Sequence, residues 1–187
     1  MIARSFYPRT VAILALVAAL AVGLAFGLNS PTQVTAGADG GAGNVRIFMK
    51  FADVDGGAKD KDHKNWIDVT SFSHAIDATG RPANDKIENF RVIKDLDKSS
   101  VLLAEAADKR KIFSKVQLHV TKFFPDSGRV TLLRYELQHV RITSYSIGGI
   151  GWPTEQITFH GREIKMDYTD TDDKGKKKES FDVELTP

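Results

Sequence analysis

Asp95-Leu96-Asp97-Lys98-Ser99-Ser100-Val101-Leu102-Leu103-Ala104-Glu105-Ala106-Ala107-Asp108-Lys109 decides the fold. Val101, Leu102 and residues 104–107 predict one short helix, starting at the Ser99/Ser100 pair and ending near Asp108. A serine there is expected to accept from the free N–H groups of the first turn. The apolar residues of this helix suit it to cover an open end or face of a sheet. Most other periodic segments after residue 44 alternate with period two, the signature of half-buried strands. A lone helix midway through a long β chain is a restrictive layout.

Outward from the helix, the strands follow. Val45, Ile47, Met49 and Phe51 alternate with Arg46, Phe48 and Lys50 as a first strand. Residues 52–64 are polar, carry Gly56-Gly57, and read as an exposed loop. Strand character resumes over residues 65–77, breaks over 78–86 at Gly80 and Pro82, and returns over 88–94. After the helix, residues 114–122 alternate, and Pro125-Asp126-Ser127-Gly128 is a turn. Over 129–145 the apolar phase shifts from Leu133, Tyr135 and Leu137 to Val140 and Ile142, which predicts a bulge near Gln138 or His139. Over 154–168 it shifts from Ile157 and Phe159 to Ile164, Met166 and Tyr168, with Gly161 between as a bulge or sharp coil. A charged turn over 170–178 leads to a last strand with Phe181, Val183 and Leu185. Long bulged strands commonly curl into a closed barrel.

Length and composition fit one domain with an N-terminal extension. There is no cysteine, so disulfides and thiolate metal sites are excluded. The net charge of +2 comes from Arg4 and Arg9, the only charged side chains before Asp39. The remainder is balanced, which argues against nucleic acid as a partner. Residues 1–10 carry two arginines and no acid, and residues 11–28 are apolar and uncharged. That pattern reads as a secretory signal, with small residues for cleavage at Ala36-Gly37-Ala38, or as an uncleaved membrane anchor. Both place the domain outside the cytoplasm, and the membrane is touched only through this segment if it stays uncleaved. Residues 1–38 are thus signal or anchor with linker, and 39–187 the folded domain.

Three pieces of wording then combine with the helix. They are Lys61-Asp62-His63-Lys64-Asn65-Trp66-Ile67-Asp68-Val69, the Asp97–Ser100 segment, and Ile142-Thr143-Ser144-Tyr145-Ser146-Ile147-Gly148-Gly149. With the Asp53-Val54-Asp55-Gly56 loop after the first strand, and in this order, they resemble the haemolysin-coregulated protein (Hcp) family, the tube component of type VI secretion. The resemblance covers roughly residues 44–187. It implies a mainly β fold, a closed β-barrel of two packed antiparallel sheets with one short helix. It also implies homo-hexameric rings that stack into tubes, with secreted cargo or effector proteins as further partners. By the same resemblance, the loop after the first strand reaches the neighbouring ring. Here that stacking loop is Asp53, Asp55, Gly56, Gly57, Lys59, Asp60, Lys61, Asp62, His63 and Lys64. The N-terminal segment departs from the family, whose tube proteins are loaded in the cytoplasm.

Catalytic and cofactor patterns fail one by one. The Asp53 loop has Ala58 and Lys64 where a calcium loop needs Gly at position six and Glu at position twelve. Asp170, Asp172 and Gly175 come closer, but position twelve is Phe181, so a charged turn is expected. His119, His139 and His160 lie on three strands without the local spacing of zinc ligands. Gly148-Gly149-Ile150-Gly151 lacks the Lys-Ser/Thr of a phosphate loop. No Gly-x-Ser-x-Gly elbow occurs. Trp66, Phe72, Phe123, Phe124, Tyr145 and Trp152 are expected in the core or at subunit contacts rather than on sugar rings. The resemblance implies a structural protein, and the failed motifs predict no enzyme, no cofactor and no metal. The alternative is an exported monomeric barrel that binds a surface glycan or protein.

Overall fold

Alternating inward residues build nine antiparallel strands around one apolar core in the computed structural model, which describes residues 44–76 and 88–185. The expectations for residues 1–38, the linker after them and the break at 78–86 lie outside the described residues. The strands are β1 (Val45–Phe51), β2 (Ile67–Val69), β3 (Ser71–Ile76), β4 (Glu88–Asp95), β5 (Ile112–Phe124), β6 (Gly128–Gly148), β7 (Thr154–His160), β8 (Glu163–Thr171) and β9 (Lys177–Leu185). The helix α1 (Ser100–Asp108) sits between β4 and β5.

The hydrogen-bonded order is β2-β1-β5-β6-β7-β4-β3, with β8 on β6 and β9 on β8. The path is open, ending at β2 and β3, so strand pairing does not establish the closed barrel expected from sequence. What it forms is an antiparallel sheet with one short helix. The 21-residue β6 is its spine. Leu133 to Gln138 pair with β8, and Arg141 to Gly148 pair with β7. His139 stands between them in the left-handed region, φ 50°. That one residue explains the phase shift: Tyr135 and Leu137 before it and Val140 and Ile142 after it all face the core. The β5–β6 register does not slip there, contrary to the expected bulge; the slip lies opposite Val120/Thr121. At 154–168 the chain makes two strands rather than one. Arg162 N–H donates to the Gln138 carbonyl at 2.9 Å, and Gly161 lies against Leu137, whose Cβ would be 3.1 Å from an added methyl.

Phe51, Phe90, Phe113, Phe159, Leu118, Leu137 and Ile157 are fully or almost fully buried at the centre of the core. The aromatic rings meet edge-on or offset: Phe51 lies 4.8 Å from Phe113 at 61°. Such packing adds to the area buried. Leu103 and Ala106 of α1 join this core, while Val101 and Leu102 remain exposed.

Candidate functional site

The loop between β1 and β2 is less free than its composition suggests. Its two limbs pair with each other: Gly56 N–H donates to the Asn65 carbonyl at 2.8 Å, Ala58 to Trp66 at 2.9 Å, and Asn65 back to Ala58 at 3.0 Å. Glycine is required at position 56 because a Cβ there would lie 2.3 Å from the Trp66 carbonyl oxygen. Val54, Gly56, Ala58 and His63 are buried, and exposed residues alternate with the first three. Asp53, at φ 63°, and Asp55 face solvent. The Lys50 ammonium pairs with Asp55, and that hydrogen bond, then its charge, holds the carboxyl below its usual range.

Two anchors tie the loop down. The first runs through Asp97. Gly57 N–H donates to Asp97 Oδ2 at 2.7 Å, and Ser99 N–H donates to Oδ1 at 2.9 Å. Lys94 Nζ reaches the same carboxylate at 3.0 Å, donates to Ser100 Oγ at 3.2 Å, and pairs with Glu155. Lys94 and Glu155 are both fully buried, so these three partners meet all three ammonium protons. Tyr145 completes the network by donating its hydroxyl to Glu155. Burial, then the hydrogen bond to Glu155 and its charge, push the Tyr145 phenol above its usual range. Burial works to raise Asp97, but hydrogen bonds from Ser99, Lys94 and Gly57 and the Lys94 charge outweigh it and hold the carboxyl low.

This network overturns the expected helix cap. Ser99 occupies the N-cap position with a helical backbone and makes no side-chain cap bond. Its hydroxyl donates to Asp97, while Ser100 Oγ accepts from Lys94 and from Asp97 N–H at 3.0 Å. A buried ammonium left without acceptors costs more than a cap gains, so Ser100 serves Lys94 and Ser99 serves Asp97, the carboxylate beside it.

The second anchor runs through Asp60 and His63. The His63 ring stacks on Phe48 at 4.3 Å and 4°, and meets Trp66 edge-on at 4.9 Å. His63 Nδ1 lies 3.1 Å from Asp60 Oδ1, and His63 Nε2 lies 2.9 Å from His119 Nδ1 on β5. Arg134 Nε on β6 donates to His119 Nε2 at 3.2 Å. Arg129 Nε, at 3.1 Å, and Arg46, at 3.9 Å, also face Asp60. The outward side of the tip is left to Lys59, Lys61, Asp62 and Lys64, which make no ion pair with any described residue.

The ten sequence-predicted loop residues thus divide: Gly56, Gly57, Asp60 and His63 anchor the loop, and the rest face outward. The histidine set is not brought together. His119 faces His63, while His139 lies exposed at the bend of β6. Among the described residues no group of three His, Cys, Asp or Glu is placed to hold a metal. The glycine run 148–151 is the tip of the β6–β7 hairpin, with Gly149 and Gly151 at φ 145° and 94°. In the 170–178 turn, Asp172 Oδ1 accepts from the backbone of Lys174 and Lys176 at 3.0 and 2.8 Å. Of the aromatic set, Phe124 is buried, Phe72 packs on the core and Trp66 joins the histidines, whereas Phe123 and Trp152 are exposed.

Sequence reasoning missed Lys94 and Glu155. The signal was present: Phe90, Val92 and Lys94 share one parity on β4, as Glu155, Ile157 and Phe159 do on β7. Lys94 and Glu155 are directly paired across the two strands.

The described residues thus form an antiparallel β protein with one inserted helix and a doubly anchored charged loop. Comparison with known proteins is specific: the family model described as "Type VI secretion system effector, Hcp" matches residues 48–168, and the chain belongs to that family. It is similar to Protein hcp1 of Pseudomonas aeruginosa, 28% identical over 135 residues, spanning 66% of this chain and 83% of the relative. A solved type six secretion system protein is 26% identical, with TM-score 0.64 over 75% of this chain and 94% of its own. Hcp1 from Salmonella typhimurium, at 19% identity, shares the fold with TM-score 0.63 over 76% of this chain and 94% of its own. Among the described residues no helix is long and apolar enough to cross a membrane.

Proposed function

We propose that this Hcp-family protein is a structural subunit and not an enzyme. Six copies join side to side into a ring, and rings stack head to tail into a tube. Head-to-tail contacts use two different surfaces, which generates open polymers. The observation that carries this reading is the loop of residues 53–64. It is fixed at Gly57 and at Asp60–His63, yet presents Lys59, Lys61, Asp62 and Lys64 outward. A rigid loop with unpaired outward charges loses little entropy on docking.

In this reading the sheet closes into a barrel of two packed layers. Closure is supported where the path ends: only Thr70 separates β2 from β3, and its N–H donates to the Ile93 carbonyl of β4 at 2.8 Å. Secreted cargo or effector proteins are the partners of the assembled tube. The protein works outside the cytoplasm, with the 1–38 segment as signal or anchor. Sedimentation of the full-length protein over a concentration series tests the stacking role. Lys59→Glu, Lys61→Glu and Lys64→Glu together should abolish species larger than one ring while leaving the ring. Unchanged stacking removes the loop from the interface. A species that stays monomeric throughout and binds glycan replaces the tube reading with the exported binding module.

A further inference from the structure

The Asp60–His63–His119–Arg134 relay admits only one arrangement of protons. Arg134 Nε always donates, so His119 Nε2 accepts and its proton sits on Nδ1. That Nδ1–H donates to His63 Nε2, which places the His63 proton on Nδ1, donating to Asp60. Both imidazoles are therefore neutral, and every link is satisfied. One added proton breaks at least one link. On His119 it sets an N–H against the Arg134 N–H across 3.2 Å. On His63 it sets an N–H against the His119 N–H across 2.9 Å, unless His119 shifts its own proton to face Arg134.

The surroundings of His119 oppose a proton there. Arg46 from β1 and Arg129 and Arg134 from β6 converge on the relay. Asp60 is the one carboxylate among the described residues that contacts the imidazoles, and Asp68 of β2 is taken up by Arg46. Phe48 and Trp66 cover the rings from the remaining sides.

We propose that this relay is an acid-released latch on the 53–64 loop, closed when both imidazoles are neutral and open when one is protonated, so that acid weakens contacts between stacked rings. The consequence for stacking rests on the ring reading above; the latch itself does not. The direction of titration agrees. Burial, then the charge of Arg134, lowers His119 from 6.5 to about 4. The stabilisation that neutral His119 gives the latch is therefore complete above pH 6.5 and is lost as the pH falls through about 4.

Hydrogen–deuterium exchange on the full-length protein at pH 7.5, 5.5 and 4.5, corrected for intrinsic rates, tests it. Amides of residues 53–66 should lose about tenfold or more in protection towards pH 4.5, while β5 and β6 amides hold. In the double variant His63→Gln, His119→Gln each amide side chain can accept and donate as the neutral imidazole does, so protection should be flat with pH. Flat protection in the native protein, or equal acid loss in the variant, overturns the latch. If the variant does not fold, the native imidazoles are read directly by long-range nitrogen NMR at pH 7.5. Nδ1–H on both rings is expected, and Nε2–H on either overturns the proposal. Light scattering on the same samples separates the readings: a loop that opens in acid without any ring at pH 7.5 refutes the assembly reading and leaves the latch standing.

Discussion

Replacing Lys94 by Met should be among the most damaging single changes in this protein. Lys94 and Glu155 are both fully buried and directly paired between β4 and β7. Lys94→Met leaves the Glu155 carboxylate inside the core with only the Tyr145 hydroxyl on it. Breaking a buried pair from one side costs about 3–5 kcal/mol. At roughly 2–4 °C per kcal/mol for a domain of this size, the melting temperature should fall by about 6–20 °C. The double variant Lys94→Met, Glu155→Leu buries no lone charge, and the Tyr145 hydroxyl keeps the Ser100 carbonyl at 3.4 Å. It should therefore recover most of the loss, giving a coupling of about 2 kcal/mol or more. Urea unfolding followed by circular dichroism measures all members of the cycle. The reasoning is refuted if Lys94→Met lies within about 1 kcal/mol of the native protein, or if the double variant costs the sum of the two singles.

Further outcomes follow from the same geometry. Gly56→Ala should destabilise by about 1–3 kcal/mol and loosen the loop, because the new methyl meets the Trp66 carbonyl at 2.3 Å and Ile67 Cα at 2.6 Å; Trp66 fluorescence and urea melts read both effects. Gly175→Ala should also destabilise, since position 175 has φ 81° and its Cβ would stand 2.6 Å from the Phe124 ring. Ile157→Ala, fully buried in the core, should cost about 2–5 kcal/mol by the same melts. Asp97 has a depressed pKa, so its stabilisation is complete above its usual value of 3.8 and is lost as the pH falls through its folded value. Asp97→Asn should accordingly flatten the dependence of stability on pH below about 4, seen in melts from pH 5 to 2.

The sequence spoke clearly where one rule governed. Period-two alternation placed β1 at Val45–Phe51, and the apolar block after Ser99 placed α1 within a residue. The phase shift in β6 was legible, but its cause was not: the chain absorbs the change through one left-handed residue, His139, rather than an extra one. The serine cap failed because cap propensity weighs only the free N–H groups of the first turn, whereas here Asp97 takes the Ser99 hydroxyl and the buried Lys94 takes that of Ser100. The loop was half legible. Its charges marked it as exposed, yet Asp60 is held by Arg129 and His63 by His119, which Arg134 holds in turn, all distant in sequence. Deleting residues 56–62 would therefore remove both anchors, and outward charge reversals are the cleaner probe of stacking. Lys94 and Glu155 stood in inward phase in the sequence, and a charge in that phase signals a buried partner.

Negative-stain imaging of the full-length protein tests the central claim most directly. The account predicts closed rings of six 20.6 kDa subunits, alone or in stacks. Single-subunit particles that persist at high concentration would contradict it.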